Sequence, residues 1–182
     1  SVYYTPEKEN IRFHFSEEIR PSELSLCWEK YHPHNKLTIM RNEAYFSWRY
    51  AAPGAKYVFL YAKKEEDTVG YLVLRKAKKS KYVLEEYQAD NISLLRQMTE
   101  CAQKELGITV LKTAALSQHQ QNMLLEMGFL RPTGLMGKLF KTKQFPVLLR
   151  PLVMEPGEED FFFGDLDARN MENWLLFQAD AY

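Results

Sequence analysis

The stretch over residues 57–87 limits most strongly what this chain can fold into, because it reads as three consecutive strands. The strands are predicted over residues 57–62, 68–75 and 82–87, with charged turns between them. Side chains alternate across a strand, and in the first strand both alternating sets are apolar. A sheet that is buried on both faces needs helices above and below it. The stretch therefore predicts an antiparallel core inside an α/β domain.

The remaining segments supply those helices. A strand is predicted over residues 11–15, followed by a helix with Ser22 as its N-cap and a second helix over 42–50, whose aromatic residues either roof the sheet or line an acceptor groove. A helix over 92–106 and a strand over 108–113 follow the three-stranded stretch, and this order predicts a crossover that makes strand 108–113 parallel to strand 82–87. The next helix starts with a capping box from Ser117 to Gln120. Further strands are predicted over 135–140, 147–149 and 173–177.

Composition limits the class of protein. The chain has 182 residues, of which 46% are hydrophobic, so we predict a single domain over residues 1–182. Lysine plus arginine equals aspartate plus glutamate at 24 each, which argues against a dedicated nucleic-acid binder. No apolar run approaches the ~20 residues of a membrane helix, and we expect a cytoplasmic protein. Because the sequence starts at Ser1 rather than Met, one alternative is that it is the C-terminal half of a longer tandem protein.

Cysteine and histidine are too sparse to predict a metal site. Cys27 and Cys101 both fall in helical patterns, where buried thiols that behave as small hydrophobic side chains are expected. His32 and His34 stand two residues apart around Pro33, with no third ligand nearby. Zinc sites use three or four protein ligands, so we expect no metal. His14 is expected to face solvent from the first strand.

Several motifs occur in an order that resembles a known family. Residues 67–74 are similar to a meander strand of the form x-x-V-G followed by four apolar residues, and residues 124–129 are similar to a helix end of the form L-Y-x-x-x-G-F. Together with the order of elements, they resemble the GCN5-related N-acetyltransferase (GNAT) family of acyl-CoA N-acyltransferases. Residues 43–54 and 174–180 resemble bacterial members encoded near polysaccharide genes. The resemblance implies a mixed, mostly antiparallel sheet with helices on both faces, and transfer of an acetyl or acyl group from acyl-CoA to an amine.

The resemblance also indicates where acetyl-CoA or another acyl-CoA would bind. The family holds the coenzyme A pyrophosphate with a glycine-containing loop between a strand and the following helix, where backbone amides face the phosphates. Residues 88–95 occupy this place and contain no glycine. Asp90 or Asn91 can cap the helix there, and Asp90 in that position would also repel an anion. The free backbone amides of Ile92, Ser93 and Leu94 are the alternative hydrogen-bond donors to the phosphates. The predicted coenzyme A-binding residues are Tyr87, Gln88, Ala89, Asn91, Ile92 and Ser93.

The candidate catalytic residues lie on strand 82–87. Glu85 and Glu86 are candidate general bases, and simple alternation places them on opposite faces, with Glu86 partly buried beside Tyr82 and Leu84. The alternative is that Glu86 is only an edge or surface carboxylate. The tyrosine with which the family protonates the departing thiolate falls at Leu124, so Tyr87 is the remaining candidate for the general acid.

Two functions stay open at this point. The first is an acyl-CoA-dependent N-acyltransferase acting on an amine acceptor, and the second is a degenerate acyltransferase-fold domain with a binding or structural role. A tandem transferase that acts on cell-wall or polysaccharide precursors is a third alternative. The expected partners are a small acceptor and either a second acyltransferase-like domain or another copy of the chain, without nucleic acid.

Overall fold

The fold is built around one six-stranded sheet whose strands follow chain order. The computed structural model describes residues 3–4, 10–51, 54–115, 117–131 and 158–181. The strands are β1 (Tyr3–Tyr4), β2 (Ile11–Ser16), β3 (Tyr57–Lys64), β4 (Asp67–Lys78), β5 (Lys81–Ala89) and β6 (Val110–Lys112). All neighbours are antiparallel except β5 and β6, which are parallel as the crossover predicts. The predicted strands over 135–140 and 147–149 lie outside the described residues.

Within the described residues, four helices cover the sheet, two on each face. They are α1 (Pro21–Tyr31), α2 (Glu43–Tyr50), α3 (Ile92–Glu105) and α4 (Gln118–Glu126). Helix α1 begins at Pro21, whose fixed φ suits the first turn, so the prediction of Ser22 as its N-cap is wrong. The Asn42 side chain caps α2 by accepting from the Tyr45 amide at 2.8 Å. A short hairpin of β7 (Phe162–Phe163) and β8 (Leu166–Asp167) lies in the later part of the chain.

The two faces have different interiors. Helices α1 and α2 cover what we call the aromatic face, a cluster of Leu24, Cys27, Phe46, Tyr50, Phe59, Tyr61, Tyr71 and Val73. Helices α3 and α4 cover the aliphatic face, which includes Leu60, Leu72, Leu74, Leu84, Leu94, Leu95, Met98, Ala102 and Leu124. The aromatics of α2 thus divide, since Phe46 and Tyr50 are buried against the sheet while Trp48 is exposed. His14 is buried on the sheet opposite Tyr61, so the prediction that it faces solvent is wrong.

A β-bulge in β5 changes which residues reach each face. Val73 on β4 pairs with Glu86, but the next residue, Leu74, pairs with Leu84, so Glu85 is an extra residue in the ladder. Glu86 therefore lies on the aromatic face opposite Val73, whereas Leu84 belongs to the aliphatic face. The prediction that Glu86 shares a face with Tyr82 and Leu84 is wrong, because simple alternation does not allow for the extra residue.

Gly70 allows helix α3 to approach the sheet closely. A Cβ atom at this position would lie 2.9 Å from Cβ of Ala89, 3.1 Å from Sδ of Met98 and 3.2 Å from the carbonyl oxygen of Gln88. The glycine of the V-G motif thus has a packing role, because no side chain fits between β4, β5 and α3.

Residues 173–177 differ from their sequence prediction, whereas the two cysteines agree with theirs. The apolar residues 173–177 do not form a strand in the structure: Trp174 makes one isolated parallel bridge with Leu37, and 3₁₀ turns lie on either side. We call residues 174–181 the closing segment, because they pack against β5 beyond the end of β6. Cys27 and Cys101 are free and buried as predicted, and burial raises the pKa of their thiols to about 12 and about 11.

Candidate functional site

The candidate site begins where β5 and β6 separate. The two strands pair over only three positions, residues 81–83 with residues 110–112. The last contact between them is a hydrogen bond of 2.9 Å from Oγ1 of Thr113 to the carbonyl oxygen of Leu84. From Glu85 to Ala89, β5 continues with no strand beside it on this side among the described residues. This divergence leaves an opening at the carboxyl end of β5.

A cleft of about 190 Å³ occupies that opening. The end of β5, the first turn of α3, helix α4 and the closing segment surround it. Five of the six residues predicted to bind coenzyme A line this cleft, namely Tyr87, Gln88, Ala89, Asn91 and Ile92. Ser93 does not line it, because its side chain is exposed on the outer side of α3 and accepts a bond from Gln97. His119 and Lys36 stand at the rim.

Helix α3 directs its N-terminus toward this cleft. The Asn91 side chain caps the helix by accepting from the Leu94 amide at 2.9 Å, so Leu94 is not a free donor. Asp90 is exposed and does not cap the helix. Within the described residues the amides of Ile92 and Ser93 have no acceptor. A neutral cap with two open amides suits an anion better than the aspartate cap considered from the sequence.

Helix α4 has a different N-terminus, because a carboxylate already occupies it. Glu172 accepts hydrogen bonds from the amides of Gln118 at 2.8 Å and His119 at 3.4 Å. Ser117 accepts from the Gln120 amide at 3.1 Å, but the Gln120 side chain donates to the carbonyl oxygen of Leu176 at 2.6 Å. The predicted capping box is therefore only half formed, because the closing segment takes the glutamine side chain.

Tyr87 forms the floor of the cleft. Its ring meets the Phe177 ring edge-on at 4.8 Å between centroids, so the closing segment packs directly on the end of β5. The hydroxyl is buried, which raises the pKa of Tyr87, although an interaction with the Gln120 side chain partly offsets this effect. Tyr87 therefore carries its proton at neutral pH, as a proton donor must. Leu124 is buried in the core and offers no polar group.

Glu86 lies behind the cleft, on the aromatic face, with its side chain fully enclosed. It accepts from Nε of Arg41 at 2.8 Å, and from the hydroxyls of Tyr71 and Tyr50 at 2.9 Å each, with Tyr45 at 3.5 Å. Burial raises the pKa of Glu86, while the Arg41 charge and the tyrosine hydroxyls act in the opposite direction. Burial and the Glu86 carboxylate together raise the pKa of Tyr50 and Tyr71. Glu86 is thus a fully hydrogen-bonded group in this structure.

Glu85 turns to the same face rather than the opposite one. It forms an ion pair with Arg75, which lies opposite Tyr57 in the β3–β4 ladder and so shares the aromatic face. The prediction that the two carboxylates point to opposite faces is wrong, because the bulge directs both toward the aromatic face. Oε2 of Glu85 is buried without a hydrogen-bond partner among the described residues.

Two charged residues of the site carry no recognisable sequence signal. Arg41 lies in the loop before α2, and Asp180 lies 139 residues later in the closing segment. Nη2 of Arg41 donates to Oδ2 of Asp180 at 2.6 Å, and both side chains are almost completely buried. Tyr45 and Tyr50 belong to the aromatic residues that were expected either to roof the sheet or to line an acceptor groove, and a helical pattern cannot show that their hydroxyls reach a carboxylate on β5.

One comparison with known proteins, that with a solved structure from Streptococcus pneumoniae, supports this fold. No protein-family model and no curated protein matches the sequence. Among solved structures, a GNAT-family acetyltransferase from Streptococcus pneumoniae TIGR4 is similar with a TM-score of 0.50 at 11% identity, covering 77% of this chain and 98% of that chain. A Thermus thermophilus protein is less similar, with a TM-score of 0.38 at 10% identity, covering 79% of this chain and 99% of its own. The predicted GNAT-like α/β fold is confirmed; the resemblance to polysaccharide-associated members stays a prediction.

The described residues show neither a metal cluster nor a membrane helix. They contain no group of three or more His, Cys, Asp or Glu side chains placed to hold a metal ion. The His32 ring stacks on Trp28 at 5.1 Å, and its Nδ1 donates to the Trp28 carbonyl oxygen at 2.8 Å. None of the helices described combines the length and the apolar character that a membrane crossing requires.

Proposed function

We propose that this chain is an acyl-CoA-dependent N-acyltransferase that binds its acyl donor in the cleft at the end of β5. One observation carries the proposal: the open edge of β5 and the start of α3, where the Ile92 amide is open, border the same cleft. An anion is stabilised by free amides at a helix N-terminus. An extended chain of amide groups can pair with the free edge of a strand. Acyl-CoA carries both features, since its phosphates are anionic and its pantetheine arm contains amides.

The residues of the cleft would have different roles in donor binding and in proton transfer. The amides of Ile92 and Ser93 would bind the donor phosphates, and the backbone of Gln88 and Ala89 would orient the arm. Acyl-CoA supplies the acyl group that is transferred. Tyr87, which keeps its proton at neutral pH, is the candidate donor to the departing thiolate.

The acceptor amine must also lose a proton, and Glu86 is the carboxylate next to the cleft. It lies one residue before Tyr87 but on the other face of β5, so a donor and an acceptor could approach the bulge from opposite sides. In the present arrangement Arg41 and three tyrosine hydroxyls occupy its oxygens. Glu86 can act as a base only if Arg41 moves away.

A second candidate function rests on that same pairing. A domain retained for binding or structure would keep Glu86 locked to Arg41, with Phe177 filling the space beside Tyr87. Such a domain would bind no acyl-CoA and would release no thiol. The two candidates therefore differ in one measurable property, the affinity for coenzyme A.

The test is a calorimetric titration of the chain with acetyl-CoA and with coenzyme A, using two variants at one position. Ile92→Pro removes the first open amide, and it suits the first helical position because Asn91 already has the extended backbone that a residue before proline needs. Ile92→Ala removes the same side chain but keeps the amide, and it is the matched control. We expect micromolar binding by the unmodified chain and by Ile92→Ala, and at least ~10-fold weaker binding by Ile92→Pro.

Each outcome decides between the candidates. Binding that depends on the Ile92 amide supports the transferase, and thiol release in the presence of amines would then be measured. Absence of binding at millimolar acetyl-CoA contradicts the transferase and leaves the binding or structural role. Equal affinity of the two variants places the donor away from the start of α3.

A further inference from the structure

The Arg41 guanidinium is held in an enclosed box that other parts of the chain build around it. Its side chain is fully buried between two carboxylates, with Glu86 at 2.8 Å and Asp180 at 2.6 Å. Two carboxylates for one cation are more than charge balance requires. Burial lowers the pKa of Arg41, but these two carboxylates outweigh that effect and raise it, so the group stays charged.

Three aromatic rings complete the box. The guanidinium carbon lies 4.7 Å from the ring centroids of Trp28 and Phe177, and 5.4 Å from that of Tyr45. Rings within about 6 Å of a cation attract it through their electron-rich faces. Carboxylates and aromatic rings in one enclosed place are the means by which proteins recognise ammonium and guanidinium ligands. We call these five residues (Glu86, Asp180, Trp28, Tyr45 and Phe177) the cation box.

The box and its occupant come from different elements. The walls lie on α1, α2, β5 and the closing segment, whereas Arg41 is delivered by the irregular loop between α1 and α2. Within that loop, Nη1 of Arg41 donates to Oγ1 of Thr38 at 2.9 Å and to the Ile39 carbonyl oxygen at 2.8 Å. The walls make their own contacts with one another: Trp28 meets Phe177 at 5.7 Å, and Tyr45 donates to Oδ1 of Asp180 at 3.3 Å. The box therefore does not depend on Arg41 alone for its shape.

We propose that the cation box is a binding site for a protonated primary amine or guanidino ligand, and that Arg41 occupies it as an internal competitor. The naming of this ligand as the acyl acceptor rests on the proposed function; the existence of the site does not. The cation box includes Glu86, which precedes the cleft residue Tyr87 by one position. An ammonium group that replaced the guanidinium would meet the carboxylate that has to receive its proton. The withdrawal of Arg41 would thus bind the acceptor and free the base in one event.

The site is tested first without acyl-CoA, by thermal unfolding of Arg41→Ala. Methylguanidinium and methylammonium are the probes, and neutral methylurea is the matched additive. Arg96→Ala is the control variant, because it removes an exposed arginine that pairs with Glu100 on α3. We expect both cations to raise the melting temperature of Arg41→Ala by at least ~3 °C at saturation. They should not raise it in the unmodified chain or in Arg96→Ala, and methylurea should raise it in none of the three.

The loss of Arg41 leaves two buried carboxylates without a cation, so a second measurement covers the case in which Arg41→Ala does not fold during preparation. The same probes are then added during refolding from denaturant, and the yield of folded protein is measured. A yield that the cations restore and methylurea does not supports the site. Equal effects of the charged and neutral additives overturn the proposal in either measurement.

The competitor role is tested by enzymatic activity, because removal of an arginine with a purely structural role would not raise kcat/KM. We measure the acetyl-CoA-dependent acylation of propylamine at a temperature at which Arg41→Ala is folded. An internal competitor predicts that kcat/KM for the amine rises at least ~10-fold in the variant, because the box no longer has to be emptied. An unchanged or lower kcat/KM overturns the competitor role. If the unmodified chain binds no acetyl-CoA, the proposed function fails, while the cation response of Arg41→Ala still decides the site.

Discussion

The two faces of the central sheet are each covered by two helices, yet they differ in what their interiors can tolerate. The aliphatic face below α3 and α4 is a mainly apolar core, in which the fit of the side chains matters most. The aromatic face below α1 and α2 contains a buried arginine, the carboxylates of Glu85, Glu86 and Asp180, and three tyrosine hydroxyls, whose stability depends on their hydrogen-bond partners. A buried polar network is costly when one partner is missing, whereas an apolar core loses stability in proportion to its empty volume. Strand β5 contributes to both of these interiors, and its single extra residue turns Glu85 as well as Glu86 toward the aromatic face.

The largest expected effect is on the aromatic face. Glu86→Ala removes the acceptor of Arg41 and of the tyrosine hydroxyls and leaves a buried cation with one partner fewer, so we expect the free energy of unfolding to fall by about 3–5 kcal/mol. Glu85→Ala is the neighbouring control, because its partner Arg75 is 28% exposed and can be hydrated; we expect a loss of about 1–2 kcal/mol. Urea unfolding of both variants measures the difference. Equal losses would contradict the difference in burial between the two ion pairs, Arg41–Glu86 and Arg75–Glu85.

An intermediate effect is expected on the aliphatic face. Gly70→Ala places a Cβ atom against Ala89 and Met98, so β4 and α3 must move apart, at a cost of about 1–3 kcal/mol. Because the closest contact is the Ala89 Cβ atom, the double variant Gly70→Ala, Ala89→Gly should recover part of the stability. Urea midpoints of the single and double variants give the coupling between the two positions. A single variant as stable as the original chain would show that this face is looser than the distances indicate.

The smallest expected effect is a pH dependence at the edge of the aromatic face. Burial lowers the pKa of His14, and the charge of Arg20 adds to this effect. A lowered pKa in the folded state means that stability is complete above the ordinary histidine pKa of ~6.5 and falls as the pH decreases below it, because the unfolded chain takes up the proton more readily. His14→Gln should therefore flatten the loss of stability between about pH 7 and 5, whereas His119→Gln, at an exposed position, should not. Identical slopes for all three proteins would argue against a neutral, buried His14.

The local periodicity of apolar residues predicted the main strands and helices of this fold well. The three strands of residues 57–87, the crossover to β6 and the helices on both faces follow from alternation, helical spacing and the length of the connecting helix. Five of the six residues predicted to bind coenzyme A line one cleft, because a position at the end of a strand follows from the chain order; their role in binding stays a prediction. These inferences concern neighbours in sequence or in the ladder.

What the sequence could not predict depends on contacts between distant residues. The face of Glu86 was missed because a bulge has no clear sequence sign, and Arg41 was missed because its partner Asp180 is 139 residues away. Residues 173–177 looked like a strand because an apolar run suits either a strand or a segment that packs through side chains alone. In the structure they pack by placing Phe177 on Tyr87 and Trp28. Tertiary contacts decided each of these cases against the local pattern.

The ion pair between Arg41 and Asp180 also affects when the chain can complete its folding during translation. Arg41, Glu86 and the tyrosines of the aromatic face leave the ribosome long before Phe177 and Asp180, which close the box. Until those residues emerge, the nascent domain has its sheet and helices, but the cation box is open and water reaches the Arg41 guanidinium. Domains fold as units only when their last essential contact is available. A nascent chain in which Phe177 and Asp180 have not yet emerged should therefore be compact but sensitive to proteases, and it should become resistant once both residues have left the ribosome.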